Sequence, residues 1–360
     1  MERNIDRMRK RMQRLGVGFR PHLKTSKCVE VSRRMMTSPA GPATVSTLKE
    51  AEYFFSHGVV DLLYAVGIAE GKLPHVLDLR ARGADLKIVL DSVEMAQAVA
   101  AFSRERRHPL PVLIEIDCDG HRSGVLAESA ELTEIGRVLH GTGALLSGVM
   151  THAGSSYDCR SIDAIRAVAE RERALTVRAA ERVRAAGLPC PAVSVGSTPT
   201  ATYAEHLTGV SEVRAGVFAF FDLVMAGIGV CAVDDIALSV LTTVIGHQRD
   251  KGWLITDAGW MAVSRDRGTA HQSVDQGYGA ICDEAGTPIE GLIMSGANQE
   301  HGIVSHRSAD PRATPMLPLG TRLRVLPNHA CATGAQHDRY HVVAGAAPDI
   351  SAVWPRINAW

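Results

Sequence analysis

The segment Arg20-Pro21-His22-Leu23-Lys24-Thr25-Ser26-Lys27 holds two of the chain's seven lysines. A lysine near a strand end is ordinarily a solvated surface residue. A lysine buried at the end of a barrel strand is different: desolvation lowers its pKa and leaves a free amine able to form a Schiff base with an aldehyde. Lys24 is the candidate and Lys27 its control. Three other runs offer complementary groups. Asp119-Gly120-His121-Arg122-Ser123-Gly124 presents a guanidinium between turn glycines, and Val149-Met150-Thr151-His152-Ala153-Gly154 presents an imidazole. Ser194-Val195-Gly196-Ser197-Thr198-Pro199-Thr200 combines a glycine with hydroxyls, which suits a phosphate cup built from backbone N–H groups. Each has an ordinary alternative: Arg122 in a surface ion pair, His152 as a satisfied core histidine, the Ser/Thr run as a helix cap. Their joint placement after strands is what points to a site.

A different chemistry is carried by Pro327-Asn328-His329-Ala330-Cys331. If the preceding strand continues, residues two apart share a face, and His329 and Cys331 can bind one cation. Two ligands are too few for a closed structural site and suit a catalytic metal with open positions. A core cysteine beside a turn histidine is the ordinary alternative. Asn298-Gln299-Glu300-His301 adds a polar loop cluster with hydrogen-bonding or acid–base groups.

Positioning these groups requires a frame, and the hydrophobic pattern predicts an α/β one. Short apolar strands at Gly18 to Phe19, Ala43 to Val45, Asp61 to Tyr64, Lys87 to Leu90, Val112 to Asp117, Leu146 to Thr151, Ala192 to Val195 and Glu212 to Ala215 alternate with amphipathic segments such as Thr47 to His57, Ser92 to Arg106 and Asp163 to Ala186. Eight such units predict a (β/α)8 barrel over residues 1–230, with reactive residues at the C-terminal strand ends. Residues 231–360 change to spaced strands with turn signals and predict a β-rich C-terminal domain carrying the His-x-Cys pair. The apolar stretch Val217 to Val233 contains Asp222 and several small residues and reads as buried core rather than a membrane span.

Composition narrows the function. Thirty-nine basic residues balance thirty-nine acidic ones, so no long-range field gathers nucleic acid or an anionic membrane. Seven cysteines without a Cys-x-x-Cys pair argue against a disulfide framework and place the chain in a reducing, cytoplasmic setting.

Taken together, Pro21 to Thr25, His121 to Gly124, Thr151 to Gly154, Gly196 to Thr200, Glu212-Val213-Arg214-Ala215-Gly216 and Pro327 to Thr333 resemble the D-serine dehydratase and D-threonine aldolase family, pyridoxal-phosphate enzymes of the alanine racemase type of fold. The resemblance covers essentially the whole chain. It implies that Lys24 holds pyridoxal 5'-phosphate as a Schiff base and acts as the catalytic base, that His152 packs on the pyridine ring, and that Arg122 lies near the phenolic oxygen. It implies further that Gly196, Ser197, Thr198, Gly216 and Val217 hold the phosphate, that Arg214 faces the pyridine nitrogen, and that His329 and Cys331 bind a divalent metal, zinc or manganese. The implied reaction is dehydration of a D-3-hydroxyamino acid, D-serine or D-threo-3-hydroxyaspartate, to a 2-oxo acid and ammonia; aldol cleavage to glycine and an aldehyde is the alternative. Cysteine rather than aspartate at 331 resembles the dehydratase branch. Relatives often pair into a homodimer. They also begin with a further strand ahead of the first helix, whereas this chain starts at Met1-Glu2-Arg3-Asn4: either the start is assigned too late, or the strand is lacking and a sheet edge is left unpaired.

Overall fold

The computed structural model describes residues 1–141, 143–345 and 349–358. Its contacts divide the chain into two units, one spanning Glu2–Phe218 and the other beginning at Ala219.

In the first unit, β1 (Gly18–Phe19), β2 (Ala43–Val45), β3 (Asp61–Gly67), β4 (Asp85–Leu90), β5 (Pro111–Asp117), β6 (Val125–Leu126), β7 (Leu145–Thr151), β8 (Ala192–Val195) and β9 (Glu212–Val213) form one parallel sheet in the order β1-β9-β8-β7-β5-β4-β3-β2, with β6 beside β5. A parallel bridge between His22 and Thr44 ties the two ends together, Leu23 N donating to Thr44 O and Thr44 N to Pro21 O, each at 2.9 Å. The alternating pattern is thus the expected eight-stranded α/β frame; β6 is the one strand it did not foresee.

Why these segments take these forms is local. In β5 the run Pro111 to Ile116 is buried on both faces, as a parallel strand between two layers requires. Helices start where a hydroxyl side chain accepts an N–H: Thr47 from Glu50, Ser92 from Met95 and Ser161 from Ala164. Outward residues such as Leu62, Leu86, Ile88, Val112 and Val149 pack on helix residues Phe54, Leu79, Val99, Ile135 and Val183. Each such buried side chain contributes roughly 1.5–3 kcal/mol of transfer free energy. Leu63, Val89, Leu113 and Met150 form a second, smaller cluster of buried residues on the same strands. One position of the long helix Ile162–Ala185 breaks this rule, since its buried stripe Ile165, Ala169, Glu172, Thr176, Ala179, Val183 includes a carboxyl group.

In the second unit β10 (Val240–Gln248), β11 (Trp253–Thr256), β12 (Ala280–Asp283), β13 (Pro288–Ala297), β14 (Gly302–His306) and β15 (Arg322–Leu326) close into an antiparallel barrel, and β16 (Arg339–Val343) pairs with β17 (Ile350–Pro355). Val244, Leu254, Ile281, Leu292, Met294, Val304, Leu323 and Val325 fill the barrel. The barrel is closed, whereas β16 and β17 form a two-stranded sheet of their own. The β13 strand begins at Pro288, contains Gly291 and Gly296 and is bulged at Met294/Gly296. The Val217 to Val233 stretch forms two short helical turns, Val217–Ala219 and Leu223–Gly227, with Asp222 capping the second. No helix among the described residues is long and apolar enough to cross a membrane.

Candidate active site

The C-terminal strand ends of the first unit carry the expected groups, and they fall together. Lys24 follows β1 and is exposed rather than buried. Its burial was the premise for its reactivity, so that premise is corrected; what singles it out instead is its neighbourhood. Lys27 has a backbone φ of 47° and pairs with the buried Glu50 at 3.1 Å. Its amine is committed to structure.

His152 follows β7, and its Nδ1 donates to the Gly196 carbonyl at 3.0 Å. Burial pulls this imidazole down to about 3, and the charges of Lys24, Arg214 and Arg122 add to the effect. His22 is lowered well below the ordinary range by burial and by Lys24, Arg214 and His152. These mutual effects locate Lys24, His22, His152 and Arg214 in one electrostatic neighbourhood. Arg214, at the end of β9, is buried, its Nε donating to Ser194 Oγ at 2.9 Å and its terminal nitrogen to the Thr151 carbonyl. Arg122 is on an exposed loop, 3.5 Å from the buried Glu115 and near enough for its charge to act on His152.

The Ser/Thr run caps the short helix Thr198–Tyr203, as its ordinary alternative had it: Ser197 Oγ accepts from Thr200 N and Thr200 Oγ1 from Ser197 N. The turn at Gly196 and Ser197 that leads into it is the candidate cup. Gly196 has φ of +137°, a conformation a side chain rarely adopts, and a Cβ there would collide with the Arg214 carbonyl. At Gly216 a Cβ would lie 2.9 Å from the His22 carbonyl, so this loop reaches the lysine segment only without a side chain. Ser197 is held in a ring of hydroxyls by Ser156 at 2.8 Å and Thr200 at 3.0 Å. Thr198 Oγ1 beside it is buried and has no hydrogen-bond partner among the described residues. An unpaired buried hydroxyl next to a substituent-free glycine is what an anionic oxygen would satisfy, so the residues fit a phosphate. Val217 follows, buried.

Sequence reasoning missed Glu172. It lies in Glu170-Arg171-Glu172-Arg173, which looks like a solvated charge run, and only its place on the apolar stripe could have signalled burial.

In the second unit the strand premise for the His-x-Cys pair is corrected. β15 ends at Leu326, His329 is the residue before the helix Ala330–Gly334, and Cys331 is inside that helix. The two side chains are nevertheless close enough for the Cys331 sulfur to act on the imidazole's protonation. The Asp266 carboxylate accepts from His329 Nδ1 at 3.0 Å, which leaves Nε2 as the ring's ligating atom. Burial opposes protonation of His329, but Asp266 and Cys331 outweigh it and push the metal-free imidazole up to about 11, so a cation would bind Nε2 only by displacing its proton. Asn328 fixes the turn: its amide donates to the Asp266 and Gly277 carbonyls at 3.0 and 2.7 Å and its oxygen accepts from Thr269 at 3.0 Å. An oriented imidazole with a sulfur is a donor set that fits a divalent cation of the zinc class. No group of three or more His, Cys, Asp or Glu side chains placed to hold a metal ion occurs among the described residues. Asn298 to His301 form the turn between β13 and β14, with Asn298 N donating to the His301 carbonyl at 2.8 Å.

Comparison with known proteins agrees with this picture in both units. Residues 1–224 match the family model described as alanine racemase, N-terminal domain, and residues 237–343 match the putative serine dehydratase domain. The chain is 58% identical to D-threo-3-hydroxyaspartate dehydratase of Delftia sp. (strain HT23), covering 100% of this chain and 95% of that one. It is 28% identical to D-serine dehydratase of Dictyostelium discoideum, covering 94% and 90%. A solved structure of a D-threo-3-hydroxyaspartate dehydratase, a cysteine-to-alanine variant in the metal-free form, superimposes with a TM-score of 0.95 at 57% identity over 100% of this chain and 95% of that one. The chain therefore belongs to the D-serine dehydratase family of alanine racemase-type fold.

Proposed function

We propose that the protein is a dehydratase of D-3-hydroxyamino acids, D-threo-3-hydroxyaspartate foremost, using pyridoxal 5'-phosphate on Lys24 and a divalent metal on His329 and Cys331. The observation that carries this reading is the convergence of an uncommitted lysine, a neutral histidine and a buried arginine beside a cup with an unsatisfied hydroxyl. Similarity over the full length of D-threo-3-hydroxyaspartate dehydratase supports the choice of substrate.

When bound, pyridoxal phosphate supplies an electron sink and the metal a Lewis acid for the departing hydroxyl. The chain's own residues supply the rest. Gly196, Ser197, Thr198, Gly216 and Val217 hold the phosphate, and Arg122 is assigned to the phenolic oxygen. His152, a neutral imidazole whose Nδ1 proton is committed to the Gly196 carbonyl, would lie against the ring. Arg214, fixed by Ser194 and Thr151, would present its positive charge to the ring nitrogen. Lys24 Nζ, freed when the substrate's amine takes its place, would take the proton from Cα; the Cβ–O bond would break, and the departing hydroxide would take up a proton to leave as water. The released enamine tautomerises, and water hydrolyses it to a 2-oxo acid and ammonia. None of the seven cysteines is in a disulfide, which suits the cytoplasm.

Product analysis tests the reading. Incubation with D-threo-3-hydroxyaspartate, D-serine and D-threonine should give 2-oxo acid and ammonia in equal amounts, lost on chelation. Glycine and an aldehyde as main products would replace dehydration with aldol cleavage.

A further inference from the structure

Glu172 projects from the helix Ile162–Ala185 and is 2% exposed. A single carboxyl oxygen, Oε1, accepts two backbone donors from different strand ends: Ala153 N at 3.1 Å, after β7, and Gly196 N at 3.0 Å, after β8. The same carboxyl meets the Thr200 hydroxyl. Ala153 is the residue after His152, and Gly196 is both the start of the hydroxyl cup and the acceptor of the His152 Nδ1 proton. The imidazole and the cup are therefore joined twice, once directly and once through Glu172. An apolar side chain at 172 would leave two buried N–H groups unpaired, whereas any single oxygen in this place would serve both.

We propose that Glu172 is the positioning residue that sets the spacing between His152 and the Gly196–Thr198 cup, so that the ring site and the phosphate site are built as one unit. This role rests on the reading of this barrel end as the pyridoxal phosphate site. What the site needs from Glu172 is an oxygen acceptor, not its negative charge, which would repel a phosphate dianion nearby. Glu172→Gln keeps the oxygen and removes the charge; Glu172→Ala removes both.

The test compares wild type, Glu172→Gln and Glu172→Ala by amide hydrogen exchange of the segments 151–157 and 194–201 without cofactor, and by titration of the cofactor-free protein with pyridoxal phosphate and with pyridoxal. In Glu172→Ala both segments should exchange faster, and the preference for the phosphorylated form should fall by about ten- to a hundredfold, the equivalent of one or two unpaired buried donors. Glu172→Gln should match wild type in both measurements. Unchanged exchange and preference in Glu172→Ala overturn the role. Faster exchange or a lost preference in Glu172→Gln relative to wild type overturns the acceptor argument, and this arm stands even if the alanine variant does not fold. Wild-type protein with no preference for the phosphorylated form would instead overturn the cofactor reading, and with it this role.

Discussion

His152 and Gly196 are joined by a hydrogen bond of 3.0 Å from Nδ1 to the carbonyl oxygen. A carbonyl only accepts, so the imidazole carries its proton on Nδ1, and Nε2 keeps its lone pair. Burial and the nearby charges of Lys24, Arg214 and Arg122 bring the imidazole to about 3, so no second proton is held at neutral pH. The ring is thereby a fixed, uncharged surface rather than an acid or a base.

This relationship gives a pH prediction with a definite sign. An unfolded histidine titrates near 6.5 and the folded His152 near 3, so between these values the unfolded chain binds more protons. The contribution is fully present above about pH 6.5 and is lost as pH falls toward 3. His22, lowered in the same direction, adds to it. Denaturant unfolding followed from pH 7 to pH 4 should show an acid-side slope approaching ~1.4 kcal/mol per pH unit for each histidine. His152→Gln, whose amide can donate to the same carbonyl, should remove one proton from that slope; an unaltered slope would refute the assignment.

Borohydride reduction of the cofactor-loaded protein, followed by peptide mapping, should place the pyridoxyl group on Lys24 and none on Lys27. The reason is structural as well as positional: Lys27 is held by Glu50 at 3.1 Å, and to release it would leave a buried carboxylate unpaired. Lys24→Ala should lose the yellow chromophore. Label at Lys27 would reverse the roles.

The parts of this arrangement that were legible in the sequence are those with local causes. Hydroxyl caps at Thr47 and Ser92, and the apolar run of β5, announce themselves within a few residues. So does the set of strand-end motifs, because each lies in one short run. What was not legible depends on partners far along the chain. Glu172 looks like one more charge in an Arg/Glu run until two amides 19 and 24 residues away in sequence come to it. Asp266 sits in a polar loop with nothing to mark it as the partner of His329, 63 residues on. The exposure of Lys24 and the helical setting of Cys331 were misjudged for a related reason, since both depend on where a strand stops.

Below the site, Arg20 joins three strands. Its guanidinium pairs with Glu212 and Asp61, each at 2.8 Å, while Lys87 also reaches Asp61 at 3.1 Å. The Arg20 side chain is only 8% exposed, so removing it leaves two carboxylates without their buried partner. Arg20→Met should cost about 3–5 kcal/mol in denaturant unfolding. Burial would raise the Asp61 carboxyl, but Arg20 and Lys87 hold it below its ordinary value, so its contribution is present at neutral pH and is lost as pH falls through the folded value. Asp61→Asn should therefore be less stable than wild type at pH 7 and approach it in acid. A constant difference across pH would show that the pair is not electrostatic.

The last prediction concerns the donor pair of the second unit. His329 presents one nitrogen to Asp266 at 3.0 Å, so the carboxylate fixes which nitrogen remains for a cation. With only two protein ligands, the cation should exchange readily with chelator, unlike one in a closed four-ligand site. Cys331→Ala should abolish stoichiometric zinc or manganese binding measured by equilibrium dialysis, while pyridoxal phosphate still gives its absorbance. Asp266→Asn keeps the shape of the carboxyl group and removes its charge. On the scale of outer-shell partners it should weaken metal binding by about ten- to a hundredfold without abolishing it. The carboxylate acts by orienting the imidazole, so the loss should appear in the metal dissociation constant, and saturating metal should restore turnover. A variant with normal affinity and impaired turnover would place Asp266 in the chemistry itself instead.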